Sequence, residues 1–130
     1  MITQDDLESF LLRADLEHEE VGEGMWAVAG AGADGVRIIV NHSPPLLIFR
    51  VKVLDVPDSE RRCAELYRRL LELNATDLVH GAYGIEGEDV ILTETLELEN
   101  LDFSEFQATI DSFGMALAGH LEELAPFRTC

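Results

Sequence analysis

Several residue patterns in this 130-residue chain have the types and spacing to support chemistry. Gly30-Ala31-Gly32-Ala33-Asp34-Gly35 matches GxGxxG, the glycine-rich turn that brings a helix N-terminus up to a dinucleotide pyrophosphate. His18-Glu19-Glu20 opens like HExxH, in which two histidines one helical turn apart hold zinc and the glutamate activates water. Cys63 stands beside Arg61 and Arg62, whose charge would favour a nucleophilic thiolate. Arg61, Arg62, Arg68 and Arg69 repeat at seven-residue spacing, which could align them as a basic stripe for an acidic partner.

None of these patterns is completed. After Gly35 the chain reads VRIIVNHSPP, a β-branched run closed by two prolines where no helix can start, so a tight hairpin turn is predicted in place of a nucleotide loop. Position 22 is Gly, so HExxH lacks its second histidine. His42, His80 and His120 fall on different elements without ligand spacing, and there is no Cys-x-x-Cys, so no metal site is expected. Helical register sets Cys63 with Leu66, Tyr67 and Leu70 on an apolar stripe, which predicts an inert core thiol. Asp58, Glu65 and Glu72 lie three and four residues from the arginines, so surface ion pairs account for those arginines without a basic stripe. Without a GxSxG elbow or any other catalytic set, the chain reads as a non-enzymatic binding module with no cofactor.

Bulk properties narrow the partner. The length fits one domain over residues 1–130, long enough to bury somewhat over ~65% of the unfolded surface. A net charge of −17 repels nucleic acid and anionic membrane surfaces. The same charge serves solubility, and it equally suits an escort that binds a basic or aggregation-prone protein. Cys63 and Cys130 imply no disulfide framework. MITQDDLESF has acids where a signal peptide carries positive charge, and no apolar run reaches the length of a membrane span. These features predict a cytoplasmic protein.

The elements follow from periodicity and punctuation. Thr3 before Gln4-Asp5-Asp6 starts a short helix with Leu7, Phe10, Leu11 and Ala14 at helical spacing. Glu17 to Gly24 is an acidic connection without an assignment. Strands are predicted over Met25–Gly30, Val36–Asn41 and Leu46–Val56, the last with Leu47, Phe49, Val51 and Val53 on one face and Arg50 and Lys52 on the other. Asp58 or Ser59 caps a second helix to about Asn74, with Cys63, Leu66, Tyr67, Leu70 and Leu71 as its apolar stripe. A hairpin of Leu78–Ile85 and Asp89–Glu99 turns at Gly87-Glu88. Asp102 with Glu105 forms a capping box for a last helix carrying Phe103, Phe106, Ile110, Phe113, Leu117, Leu121 and Leu124. The fold class is α+β, an antiparallel sheet with helices packed on it, in the order α-β-β-β-α-β-β-α.

Glu94 breaks the pattern by sharing a strand face with Val90, Leu92, Leu96 and Leu98. A bulge that turns it outward, an exposed strand end, or a paired functional carboxylate would each explain it.

The element order, together with Leu71-x-Leu73-Asn74, Leu78-x-x-Gly81, Gly87-Glu88, Val90-x-Leu92, Leu96-x-Leu98 and Leu101-Asp102, resembles the YbjN family and the related type III secretion chaperones of the Tir-chaperone type. That resemblance implies an acidic cytoplasmic homodimer without catalytic residues that holds an extended segment of a secreted protein across its first helix and first strands. It makes Leu7, Phe10, Leu11, Trp26, Val28, Phe49 and Val51 candidates for partner contact, against the plainer reading of the same residues as core. The dimer contact is expected mainly on the hairpin and second helix, with Leu96 and Leu98 extending the fifth strand's apolar face beyond what the fourth strand can pair. The YbjN side of the resemblance implies an alternative, a regulatory or sensory protein.

Overall fold

The computed structural model describes residues 1–29 and 36–128. Helix α1 (Gln4–Arg13) begins at a complete capping box: Thr3 Oγ1 accepts from Asp6 N–H, and the Asp6 carboxylate accepts from Thr3 N–H at 2.9 Å. That second bond, in which the Thr3 N–H donates to the carboxylate, is the main cause that lowers the Asp6 pKa. Four strands follow, β1 (His18–Gly22), β2 (Met25–Ala29), β3 (Arg37–Ser43) and β4 (Leu46–Asp55). Helix α2 (Glu60–Thr76), strands β5 (Ala82–Glu86) and β6 (Asp89–Glu97), and helix α3 (Phe103–Leu124) complete the domain, with a short 3₁₀ turn at Ala125–Arg128.

The strands form one antiparallel six-stranded sheet in the order β1-β2-β3-β4-β6-β5. Side chains alternate between the faces. The inner face presents Trp26, Val28, Ile38, Val40, Leu47, Phe49, Val51 and Leu92 to a single core cluster. All three helices contribute to that cluster, α1 through Leu7 and Leu11, α2 through Leu66, Leu70 and Leu73, and α3 through Phe106, Ile110, Phe113 and Leu117. The opposite face of the sheet receives no helix among the described residues.

The α+β class and the antiparallel sheet stand as expected, with one strand added. β1 lies within the acidic connection Glu17–Gly24 and pairs His18 with Val28 and Glu20 with Trp26. It is an edge strand whose side chains are mostly exposed, so its sequence carries no apolar alternation. The segment following residues 30–35 is strand β3 and not a helix; the glycine run and its expected hairpin turn lie outside the described residues, as does Cys130.

Four local expectations are corrected. Residues 78–81 do not extend β5, because Leu78 N–H still bonds Leu73 O at the end of α2 and Gly81 sits at φ +86°. The buried stripe of α2 is Leu66, Leu70 and Leu73, which leaves Cys63 half-buried, Tyr67 36% exposed and Leu71 67% exposed. Asp102 caps α3 through Glu105 N–H alone, one half of the predicted box. The bulge in β4 falls between Lys52 and Leu54, away from Glu94, whose partner is Phe49 in regular register. Glu94 therefore keeps the inner face and stays half-buried toward the open end of the strand pair.

Candidate functional site

Strand parity decides which side chains a partner can reach. Leu7, Leu11, Trp26, Val28, Phe49 and Val51 are 0–3% exposed and sit in the core. Phe10 is half-buried, its ring centroid 5.7 Å from those of Phe103 and Phe106. These candidates therefore hold α1 to the sheet, and in the folded chain none but Phe10 reaches the surface. Leu98 is fully buried, and Leu96 is half-buried against the core opposite Leu47. β5 pairs β6 only from Asp89 to Thr93, so Leu96 and Leu98 do lie beyond its reach, but both turn into the core and leave no exposed apolar face there.

The uncovered face of the same strands carries the residues of opposite parity. Register brings Met25, Ile39, Ile48 and Ile91 together from four strands, interleaved with Asn41, Arg50 and Thr93, around a shallow concavity of about 370 Å³. The Arg50 side chain crosses β6 to pair with Glu86 on β5. Arg37 pairs with Glu19 at 3.0 Å, and Lys52 pairs with Asp55 at 2.9 Å and Asp89 at 3.3 Å. Each cation on this face thus meets an acid, and the acids of these pairs outnumber the cations, so the face keeps a small negative charge. The Lys52 pKa is raised by its hydrogen bonds to Asp55 and then Asp89. These pairs are exposed and contribute little stability individually; their effect is to border the apolar centre with paired rather than free cations.

Other exposed apolar side chains stand on α2 and β5: Tyr67 and Leu71 on the helix and Ile85, which is 46% exposed, on the strand. The backbone edge of β5 is partly closed by Asn74, whose Nδ2 donates to Tyr83 O and whose Oδ1 accepts from Tyr83 N–H at 2.7 Å. Either backbone group left unpaired there would cost about 1–3 kcal/mol. In an antiparallel pair, hydrogen-bonded and non-bonded residues alternate, so Ile85 is the β5 residue whose backbone remains open on that edge.

The histidines do not converge. His18 Nδ1 lies 2.8 Å from Leu16 O, His42 Nε2 lies 2.9 Å from Ile2 O, and His120 bonds Tyr83 and Asp77. Among the described residues no group of three His, Cys, Asp or Glu side chains could hold a metal ion. The Cys63 thiol donates to Pro57 O at 3.0 Å. The helical arginines are engaged in ion pairs, Arg61 with Glu65, Arg68 with Glu72, and Arg69 with Glu72 and Glu123, while Arg62 bonds the Pro126 carbonyl and stacks over Phe127. They form no free basic stripe.

The sequence model of CesT_Tir_1, the type III secretion chaperone family, matches residues 2–129. The chain belongs to the CesT_Tir_1 family. No curated protein matches it by sequence. The fold of this CesT_Tir_1 member is shared with the heterodimeric ExoU–SpcU complex of the type III secretion system of Pseudomonas aeruginosa, at TM-score 0.67 and 14% identity over 95% of this chain and 98% of that one. It is shared with YbjN from E. coli at TM-score 0.69 and 12% identity over 95% and 92% of the two chains. The Yersinia pestis secretion chaperone SycH, solved with a fragment of YscM2, matches at TM-score 0.55 and 15% identity over 96% and 99%. At these identities the likeness is one of fold. No helix among the described residues is long and apolar enough to cross a membrane.

The sequence reading missed the outer-face cluster because its members are single apolar residues scattered among polar ones. Only the strand register unites them. A weak signal was present in Leu46–Val56, where Ile48 shares its parity with Arg50 and Lys52 and departs from the polar pattern.

Proposed function

We propose that this chain is a cytoplasmic, non-enzymatic escort that holds an extended segment of a partner protein against the uncovered face of its sheet. The observation that carries this reading is the uncovered apolar face formed by Met25, Ile39, Ile48 and Ile91, bordered by ion pairs, in a chain of the CesT_Tir_1 family. An extended segment suits it because alternate side chains of a strand-like peptide can enter the concavity while the others face solvent. The inner-face residues named from the resemblance support the site from beneath and do not touch the partner. Ile48→Asp places a carboxylate in the centre of the face without entering the core. It is expected to leave the thermal midpoint within a few degrees of wild type and to weaken binding of the partner segment by about tenfold or more, as central apolar contacts do. Calorimetric titration checks this, and unchanged affinity contradicts it.

We further propose a homodimer meeting through Tyr67, Leu71 and Ile85, apolar side chains of the second helix and hairpin left exposed. Two copies at −17 each repel, so association should tighten as salt screens them. Sedimentation at tens of micromolar, in low and moderate ionic strength, is expected to give a dimer that strengthens with salt; a monomer in both contradicts it. The fold likeness to YbjN supports a second reading, a regulatory module that presents the same face to its partner.

A further inference from the structure

The uncovered face of the sheet is floored by small residues and closed by acids. Ala82 and Gly84 of β5 lie opposite Thr93 and Ile91, and Ala27 of β2 lies opposite Ile39, so small residues flank the apolar centre on both sides. A Cβ at Gly84 would meet no other atom within 4 Å, which leaves room there for an incoming side chain. Register sets Asp55, Asp89 and Glu86 on this face at one end of β6, and Glu97, opposite Leu46, at the other. Asp89 and Glu97 are the first and last residues of β6, about 26 Å apart at the rise of an extended strand. The cations between them are already engaged. Arg37 is held by Glu19, Arg50 by Glu86, and the single Lys52 ammonium is shared by Asp55 and Asp89. Glu97 is exposed and makes no ion pair among the described residues. One carboxylate charge of Asp55 and Asp89 is therefore uncompensated at one end of the apolar centre, and that of Glu97 at the other.

The escort reading, on which this rests, leaves the chemistry of the partner open. We propose that the segment held on this face is basic at both ends: about nine extended residues, apolar at alternate central positions, with one Lys or Arg reaching Asp55 and Asp89 and another reaching Glu97. Side chains on one side of an extended segment recur at every second residue, so the end cations and the central apolar residues all face the sheet. An acidic segment would find no free cation to pair with and two uncompensated carboxylates to repel it. The net charge of −17 draws a basic segment in from a distance. The acidic ends then set its register, since charged groups contribute more to specificity and on-rate than to affinity, while the apolar centre holds it.

The test uses the full chain and two synthetic peptides of this length, with the same alternating valine and isoleucine centre and either lysine or glutamate at both ends. Fluorescence anisotropy at low ionic strength should show the lysine-ended peptide binding at least about tenfold tighter, with the gap closing as salt screens the ends. Glu97→Lys should cut that preference about threefold or more, the scale of one exposed ion pair. Glu8→Lys makes the same change of charge on α1, away from the face, and should leave the preference within about twofold. Both positions are exposed, so neither variant enters the core. Equal or reversed affinities for the two peptides, or a preference moved as far by Glu8→Lys as by Glu97→Lys, would overturn the basic-ended segment and leave the escort reading standing. Binding of neither peptide would overturn both.

Discussion

Phe113→Ala is expected to lower folding stability by about 3–5 kcal/mol, measured by denaturant titration. Phe113 is fully buried near the middle of α3, with its ring 6.3 Å from that of Phe49, which in turn lies 5.8 Å from Phe106. The aromatic chain links the longest helix to the central strand β4, so the deletion removes apolar burial from both layers at once. Close packing by β4, β6 and the start of β5 leaves little freedom to collapse around the void. A loss below about 1 kcal/mol would mean that this face of α3 is not a core face in solution.

Gly81→Ala is expected to be nearly as damaging for a small change, at about 3 kcal/mol. Gly81 adopts φ +86°, where an L-side chain costs about 1–2 kcal/mol. A Cβ there would lie 2.9 Å from Phe113 Cε1 and 3.0 Å from the Thr93 carbonyl, and such overpacking adds about 1–3 kcal/mol. Because one of those neighbours is the Phe113 ring, the two substitutions should not add: Gly81→Ala in the Phe113→Ala background should cost less than it does alone. Additive losses in a double-mutant cycle would show that the turn and the helix do not touch as described.

The elements most legible in the sequence are those whose signals are local. Thr3 and Asp6 give the α1 cap, Gly87-Glu88 the β5–β6 turn, and the Phe106, Ile110, Phe113, Leu117 spacing the buried stripe of α3, all of which the structure bears out. The phase of α2 was less legible because its apolar arc is broad. Tyr67 and Leu71 continue the helical pattern yet lie past the edge of the core. Strand β1 could not be read, since an exposed edge strand with Val21 as its one apolar residue has no buried face to write an alternation. The bonds of His120 could not be read because its partners, Tyr83 and Asp77, are separated from it by 37 and 43 positions. The proposed partner surface stayed hidden for the same reason. The inner-face residues stand out by their hydrophobicity, and that hydrophobicity is what buries them.

The most direct test of the escort reading is site-specific photo-crosslinking in cells of the source organism, with the reactive side chain at position 48 on the uncovered sheet face or at position 115 on the helical side. Ile48 is half-buried on the outer face, and Met115 is 79% exposed on α3. Both sites are therefore accessible without disturbing the core. The expected result is an adduct at position 48 whose mass-spectrometric mapping gives one contiguous segment of a single other protein, with no such adduct at position 115. Adducts confined to position 115, or none at position 48, would contradict the account.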